Sequence, residues 1–277
     1  MKEDRISQTA LKVALGLITL SIKSDWSARL PPGLVNLTEE LLLSSGAPGY
    51  GPALIRASKK PWMIKVYEFQ DRMMPGQWQG FGHRKIFVNE QVDNAIESGA
   101  KQVLILGAGF DTLCLRLAPR YPAVRFFELD HPATSAAKAK GVARCGSPDN
   151  LSLISVDLAN SALSVTLSQA ADWNTSDASL VVAEGLLQYL DDQDVHQLFR
   201  EVAKSVASGS RFVFTHAIPQ ERRLLQSILR LIGEPFRSSV SSEGLPEYLA
   251  NTGWKVISDV DDAVEHGIER YAVAQTI

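Results

Sequence analysis

Four apolar runs in this sequence end on residues suited to holding a small ligand. "QVLILGAGFDTLCLRLA" (Gln102 to Ala118) passes from Val103–Leu106 through Gly107 and Gly109 to Asp111. "VRFFELDHP" ends on Glu128 and Asp130, "SVDLAN" on Asp157 and Leu158, and "VVAEGLLQYL" carries Glu184 straight after Leu180–Ala183. Glycines lack the side chains that would keep a ligand away from backbone N–H groups and a helix N-terminus. An acid about twenty residues beyond such a turn reaches ribose hydroxyls. Asp157 suits an adenine amino group and Leu158 the adenine ring. The chemistry is that of a nucleotide-type site.

The spacing also narrows the nucleotide. A dinucleotide favours Gly-x-Gly-x-x-Gly, whereas "GAGFDT" has Thr112 at the third glycine position and sets Asp111 where a pyrophosphate would lie. S-adenosylmethionine carries no phosphate, and its sulfonium and ammonium tolerate nearby acids. By alternation Phe127 and Leu129 share one face while Glu128 points the other way, and Asp130, just past the strand end, is favoured for the ribose with Glu128 as the alternative. Asp111 and Asp157 serve equally well as helix caps. Glu184 beside an apolar run needs a partner to stay ionised near the core.

The elements that position these residues form an alternation from about Lys101 onward, as in a parallel sheet flanked by helices. Strands are expected at Val103–Leu106, Val124–Leu129, Leu151–Val156, Leu180–Glu184, Arg211–Thr215, Trp254–Ser258 and Arg270–Ala274. Helices are expected at Pro132–Ala143, Asp192–Ser208, Pro219–Ile232 and Gly244–Asn251, the first with Pro132 at its start and Gly141 past its end. Residues 1–83 read as a helical cap or lid and 84–277 as the core. An amphipathic helix with Ser7 as cap presents Ala10, Val13, Ala14, Leu17 and Ile18 on one face. Trp62, Tyr67, Met73 and Trp78 give the cap an aromatic and thioether surface suited to an apolar substrate, or to gluing the cap to the sheet.

With 277 residues, 45% of them hydrophobic, the chain can bury a large core, and a net charge of -3 argues against a nucleic-acid partner. Cys114 and Cys145 lack metal-ligand spacing, so no metal is expected, and two unpaired thiols fit a reducing cytoplasm. "ALKVALGLITLSI" is shorter than the roughly 20 apolar residues of a membrane span.

Several blocks together resemble the leucine carboxyl methyltransferase family, which includes bacterial polyketide O-methyltransferases. They are "ISQTALKVA", "GHRK", "VLILGAGFDTLCLRL", "FFELDHPATSAAKAK", "VDL", "VVAEGLLQYL" and "ERYAVA", in the family's order. The resemblance implies a Rossmann-like class I methyltransferase fold, α/β, with a seven-stranded, mostly parallel sheet. It further implies that Arg84 holds the carboxylate of S-adenosyl-L-methionine, Gly107 lies against its methionine part, Asp130 takes the ribose, Asp157 and Leu158 the adenine, and Glu184 faces the amino end. After the "TA" block the chain departs from the family's more basic pattern and continues as "LGLITLSI".

The function expected is O-methyl transfer to a carboxylate or hydroxyl of a small, partly apolar metabolite or polyketide. A protein C-terminal carboxylate is a less favoured acceptor, and a nicotinamide-dependent oxidoreductase or a non-catalytic cofactor-binding module are the rivals. Tyr189 is placed to line the acceptor site. His216, like His131, falls near a strand end and can act as a base, while Arg211 and Arg237 can meet an acceptor carboxylate.

Overall fold

The computed structural model describes residues 6–73, 76–158, 161–219, 236–260 and 269–277. Seven apolar runs form strands β1 (Gln102–Leu106), β2 (Arg125–Asp130), β3 (Leu151–Ser155), β4 (Ser179–Ala183), β5 (Arg211–Ala217), β6 (Trp254–Val260) and β7 (Glu269–Thr276). They make one sheet in the order β3-β2-β1-β4-β5-β7-β6. Pairing is parallel from β3 to β5, and β7 enters antiparallel to both β5 and β6. The expected seven-stranded, mostly parallel α/β sheet is therefore present.

Burial on both faces explains the unbroken apolar runs of β1 and β4. On one face Leu104, Leu106, Phe127, Leu129, Phe212 and Phe214 pack with helices α8 (Leu163–Gln169) and α9 (Asp192–Ser205). On the other, Val103, Ile105, Phe126 and Val182 pack with α5 (Gln77–Glu97) and α6 (Leu113–Leu117). Phe127 and Leu129 do share a face.

The helices differ from expectation in detail. Helix α7 (Pro132–Arg144) starts at Pro132 but contains Gly141, which is buried within it and does not follow its end. The reason is the crossing of α2 (Leu34–Ser45): a Cβ on Gly141 would come within 2.9 Å of the Leu41 Cα. Helix α9 stops at Ser205, the helix expected over Gly244–Asn251 shortens to Leu245–Tyr248, and the one expected over Pro219–Ile232 lies outside the described residues apart from Pro219.

Helix α1 (Gln8–Leu20) is capped as expected, the Ser7 Oγ accepting the Ala10 N–H at 3.2 Å. It is buried on more than one side. Leu11, Ala14 and Ile18 meet Leu41, Phe110, Leu115 and Ala137, while Leu17 and Leu20 meet Trp26 and Trp78. Helices α3 (Pro52–Ser58) and α4 (Pro61–Met73) follow, and α5 runs without a break through residues 83 and 84. Among the described residues no helix is long and apolar enough to cross a membrane.

Two glycines of α5 make opposite demands. A Cβ on Gly80 would meet nothing within 4 Å, whereas one on Gly82 would overlap the fully buried Trp26 ring. Gly80→Ala should stabilise the fold by about 0.5–1 kcal/mol through helix propensity. Gly82→Ala should destabilise it by about 1–3 kcal/mol through overpacking. Urea unfolding midpoints of the two variants, moving in opposite directions, check this.

Candidate functional site

The turn after β1 depends on its glycines. Gly107 and Gly109 take φ of 66° and 50°, in the left-handed region that side chains disfavour. The N–H groups of Gly107 and Ala108 donate to the Leu129 carbonyl at 2.9 and 3.1 Å, tying the turn to the end of β2. Asp130 completes the tie: its carboxylate accepts the Gly109 N–H and, at 2.6 Å, the His131 N–H. Burial pushes the Asp130 carboxyl above its ordinary range, opposed by those two backbone bonds. The turn is roofed from two sides, since a Cβ on Gly107 would come within 3.1 Å of Leu186 and one on Gly109 within 2.9 Å of Ala10 in α1.

Behind the turn lies a line of alternating charge. Lys85 Nζ meets Asp111 Oδ2 at 2.9 Å and Glu184 Oε1 and Oε2 at 2.9 and 3.0 Å. Arg84 Nε meets Glu184 Oε1 at 3.2 Å, and its Nη1 donates to Glu269 Oε2 at 2.6 Å. Gln188 Nε2 donates to the other Glu269 oxygen at 2.8 Å. Arg84 and Lys85 are each only 6% exposed, so these partners replace water. Burial opposes the charge on both cations, but the carboxylates win and hold both above their ordinary ranges. Burial would likewise raise Asp111, yet Lys85 outweighs it and brings that carboxyl down to about 2. Asp111 also accepts the Leu113 N–H at 3.0 Å, so it caps α6 as well as joining the line. Gly185, at φ 65°, gives the guanidinium room: a Cβ there would lie 3.3 Å from Arg84 Nη1.

Glu128 has a different fate from Asp130. It is 3% exposed and paired with Lys138 at 2.5 Å on the helix-covered side of β2. Burial pushes Glu128 upward against that pairing and also raises the neighbouring Cys114 thiol. At the next strand end, Val156 N–H donates to the Asp130 carbonyl at 2.9 Å, which sets Asp157 and Leu158 beside Asp130.

The structure thus brings Arg84, Gly107, Gly109, Asp111, Asp130 and Glu184 to one sheet edge, with Asp157 and Leu158 alongside. The remaining candidates are dispersed. Tyr189 sits in a 3-10 turn (Leu187–Tyr189), its ring edge-on to Phe236 with centroids 5.9 Å apart. His216 is buried on the same sheet face as Phe214, with Nε2 3.4 Å from Asp259 Oδ1, in a cavity lined by Val195, Phe199, Tyr248 and Leu249. Burial opposes ionisation of Asp259, but the facing His216 ring holds its carboxyl below the ordinary range. Trp78 is buried, donates through Nε1 to the Gly16 carbonyl at 2.9 Å and stacks on Tyr67 at 5.0 Å. Burial raises the Tyr67 hydroxyl to about 12. Trp62 is 54% exposed on α4, whose last residue is Met73. His131 is the N-cap residue of α7, and Arg237 meets Asp191 at 3.3 Å on the surface.

Lys85, Gln188 and Glu269 are part of this arrangement and were not singled out from sequence. Lys85 adjoins Arg84 in "GHRK", and Gln188 and Glu269 lie inside "EGLLQYL" and "ERYAVA". Their signal was membership of those blocks.

The leucine carboxyl methyltransferase family profile matches residues 49–203, more than half of the chain. The chain belongs to that family. A Mycobacteroides abscessus protein with the provisional name of S-adenosyl-L-methionine-dependent methyltransferase is 26% identical over 68% of this chain and 65% of its own. A Streptomyces coelicolor protein of the same provisional name is 33% identical over 48% of this chain and 46% of its own. The chain spans between about half and two thirds of the length of these curated relatives. Among solved structures, a Thermobifida fusca protein provisionally described as a methyltransferase superimposes with a TM-score of 0.61 at 16% identity, over 89% of this chain and 98% of its own. Magnesium protoporphyrin IX methyltransferase from Synechocystis, with bound S-adenosylhomocysteine, gives 0.52 at 14% identity, over 72% and 84%. At these identities the two structures establish the fold, that of Rossmann-like methyltransferases.

The depressed Asp111 carboxyl sets a pH dependence. Its folded-state value lies below the ordinary 3.8, so its stabilising effect is complete above about pH 4 and is lost as pH falls toward about 2. Asp111→Asn should be less stable than the parent by about 2 kcal/mol at pH 7, and the gap should narrow between pH 4 and pH 2. Urea titrations of both proteins across that range check it.

Proposed function

We propose that this chain is an S-adenosylmethionine-dependent O-methyltransferase acting on a carboxylate or hydroxyl oxygen of a small, partly apolar metabolite or polyketide. The observation that carries the reading is the charge line at the carboxyl edge, in which two cations face three carboxylates. Its surplus negative charge complements a sulfonium cofactor, whose sulfonium, ammonium and carboxylate sum to one positive charge. A dinucleotide pyrophosphate would add negative charge next to an Asp111 that stays ionised. The provisional names of the curated relatives agree with the cofactor, and the family's name with an oxygen acceptor.

The residues present fit that cofactor. Gly107 and Gly109 form the left-handed turn that its methionine and ribose parts would lie along, Asp130 lies at the strand end that meets ribose hydroxyls, and Asp157 and Leu158 continue toward adenine. Arg84 is the cation for its carboxylate. When bound, the cofactor supplies a methyl carbon activated by a sulfonium. The protein's task is then to hold the acceptor oxygen in line and exclude water, with no covalent enzyme intermediate. An acceptor carboxylate, near pKa ~4, needs no base, while a phenol near ~10 gains from one. In the second case His216, backed by Asp259, takes the proton, and Tyr189 lines the acceptor. An apolar acceptor suits α4, which leaves Trp62 and Phe69 54% and 63% exposed. The helices before residue 84 act as a lid, with α1 laid over the glycine turn at Ala10.

Calorimetric titration tests the reading: S-adenosylmethionine and S-adenosylhomocysteine should bind saturably and NADH should not. Binding of NADH alone would overturn it. Asp130→Ala should lower adenosyl-ligand affinity by about 1.5–3 kcal/mol through loss of the ribose contact. Glu128→Ala should instead destabilise the fold by about 3–5 kcal/mol, because it leaves Lys138 buried without its partner. Thermal unfolding measured beside the titrations separates the two effects.

A further inference from the structure

Helix α4 turns outward an apolar face that its own packing leaves over. Its inward side is already used: Ile64 and Tyr67 pack with Trp78 and with Val13 and Leu17 of α1, and Met63 is buried as well. Trp62, Val66 and Phe69 recur at i, i+4 and i+7, which sets them in one line along the other side. They are 54%, 39% and 63% exposed. Among the described residues seven large apolar side chains are exposed, and three of them form this line. One exposed apolar residue is ordinary, but three in line, two of them aromatic, make a patch that marks an interaction surface.

The charges beside the patch select its partner. Lys65 and Arg72, seven residues apart, run along one edge of the line, Lys65 between Trp62 and Phe69 and Arg72 a turn beyond. Both are exposed, and among the described residues neither forms an ion pair, whereas Lys23 and Lys59 are engaged by Glu68 and Glu39. Residues 52–73, which make α3 and α4, carry five basic and two acidic side chains, a net +3 in a chain of net -3. The basic character is therefore local to this face. A second copy of the chain complements it poorly: antiparallel packing along the line would set Lys65 against Arg72, and parallel packing would set Lys65 against the uncharged Gln70. An anionic lipid surface answers every feature, since Trp and Phe settle at the bilayer interface, Lys and Arg at its headgroups, and a protruding helix face needs no matching groove there.

We propose that α4 docks this chain on an anionic lipid surface, with Trp62, Val66 and Phe69 laid into the interface and Lys65 and Arg72 among the headgroups. The inference goes beyond methyl transfer and does not rest on it. It uses one face of one helix lying on the membrane, not a span, and it brings the chain to where partly apolar molecules dissolve.

Trp62 supplies the readout. Of the five tryptophans only Trp62 is exposed; Trp26, Trp78 and Trp254 are buried and Trp173 is half-buried. The full chain is titrated with vesicles of phosphatidylcholine and phosphatidylserine whose acyl chains carry bromine as a fluorescence quencher, and with brominated phosphatidylcholine vesicles alone. The anionic vesicles should bind and quench, the neutral ones should bind about tenfold or more weakly, and added salt should narrow the gap. Lys65→Ala together with Arg72→Ala should weaken binding to the anionic vesicles by about fivefold for each cation lost. Trp62→Phe should keep the binding and abolish the quenching, while Phe69→Ser should weaken both. All four positions are exposed, so circular dichroism should show the fold unchanged in each variant. Equal binding to the two vesicle types, unchanged binding after loss of both cations, or quenching that persists in Trp62→Phe would overturn the proposal. A wild-type dimer that Phe69→Ser dissociates would assign the face to a second copy instead, and no binding to either vesicle would assign it to an acidic protein.

Discussion

The site depends on the need to keep five ionised side chains buried together. No single pair among them would be stable in isolation, since each ion taken from water loses several kcal/mol of solvation. Alternation solves this: Asp111, Lys85, Glu184, Arg84 and Glu269 stand so that every cation lies between carboxylates. The arrangement dictates where secondary structure must run. Helix α5 has to present two consecutive basic residues to the sheet edge, β4 has to end at Glu184, and β7 has to enter beside β5 so that Glu269 arrives opposite Arg84.

The same constraint explains the small residues around the line. Gly185 is there because the guanidinium lies against its backbone, and Gly107 and Gly109 because the turn bends back on β2 while Leu186 and Ala10 close over it. The two acids of β2 meet different surroundings although they stand two residues apart. Asp130, at the end of the strand, ties down the turn, whereas Glu128, inside the strand, is neutralised by Lys138.

Much of this was legible in the sequence, because the signals were local. All seven strands lie where their apolar runs fall, the Ser7 cap forms, and Glu184 has the partner that its place beside an apolar run demanded. What was not legible depended on elements far apart in the chain. Gly141 resembled a helix terminator, and only the crossing of α2 shows it to be a contact between helices. Trp78 resembled a ligand-facing aromatic until its indole N–H found the Gly16 carbonyl. Glu269 lies 185 residues from Arg84, and no pattern within either segment announces their pairing.

That separation bears on how the protein is made. Strand β7 is the last element of the sheet, yet it lies inside it, between β5 and β6, and brings Glu269 to Arg84 and Gln188. During synthesis the glycine turn, Asp130 and Glu184 all leave the ribosome before the strand that completes their charge balance. Until β7 inserts, β5 presents an open edge, Arg84 has only Glu184 as its carboxylate, and the Gln188 amide lacks Glu269. The charge line is thus among the final features to form, and a polypeptide stopped short of β7 exposes a sticky sheet edge together with an incomplete row of buried charges.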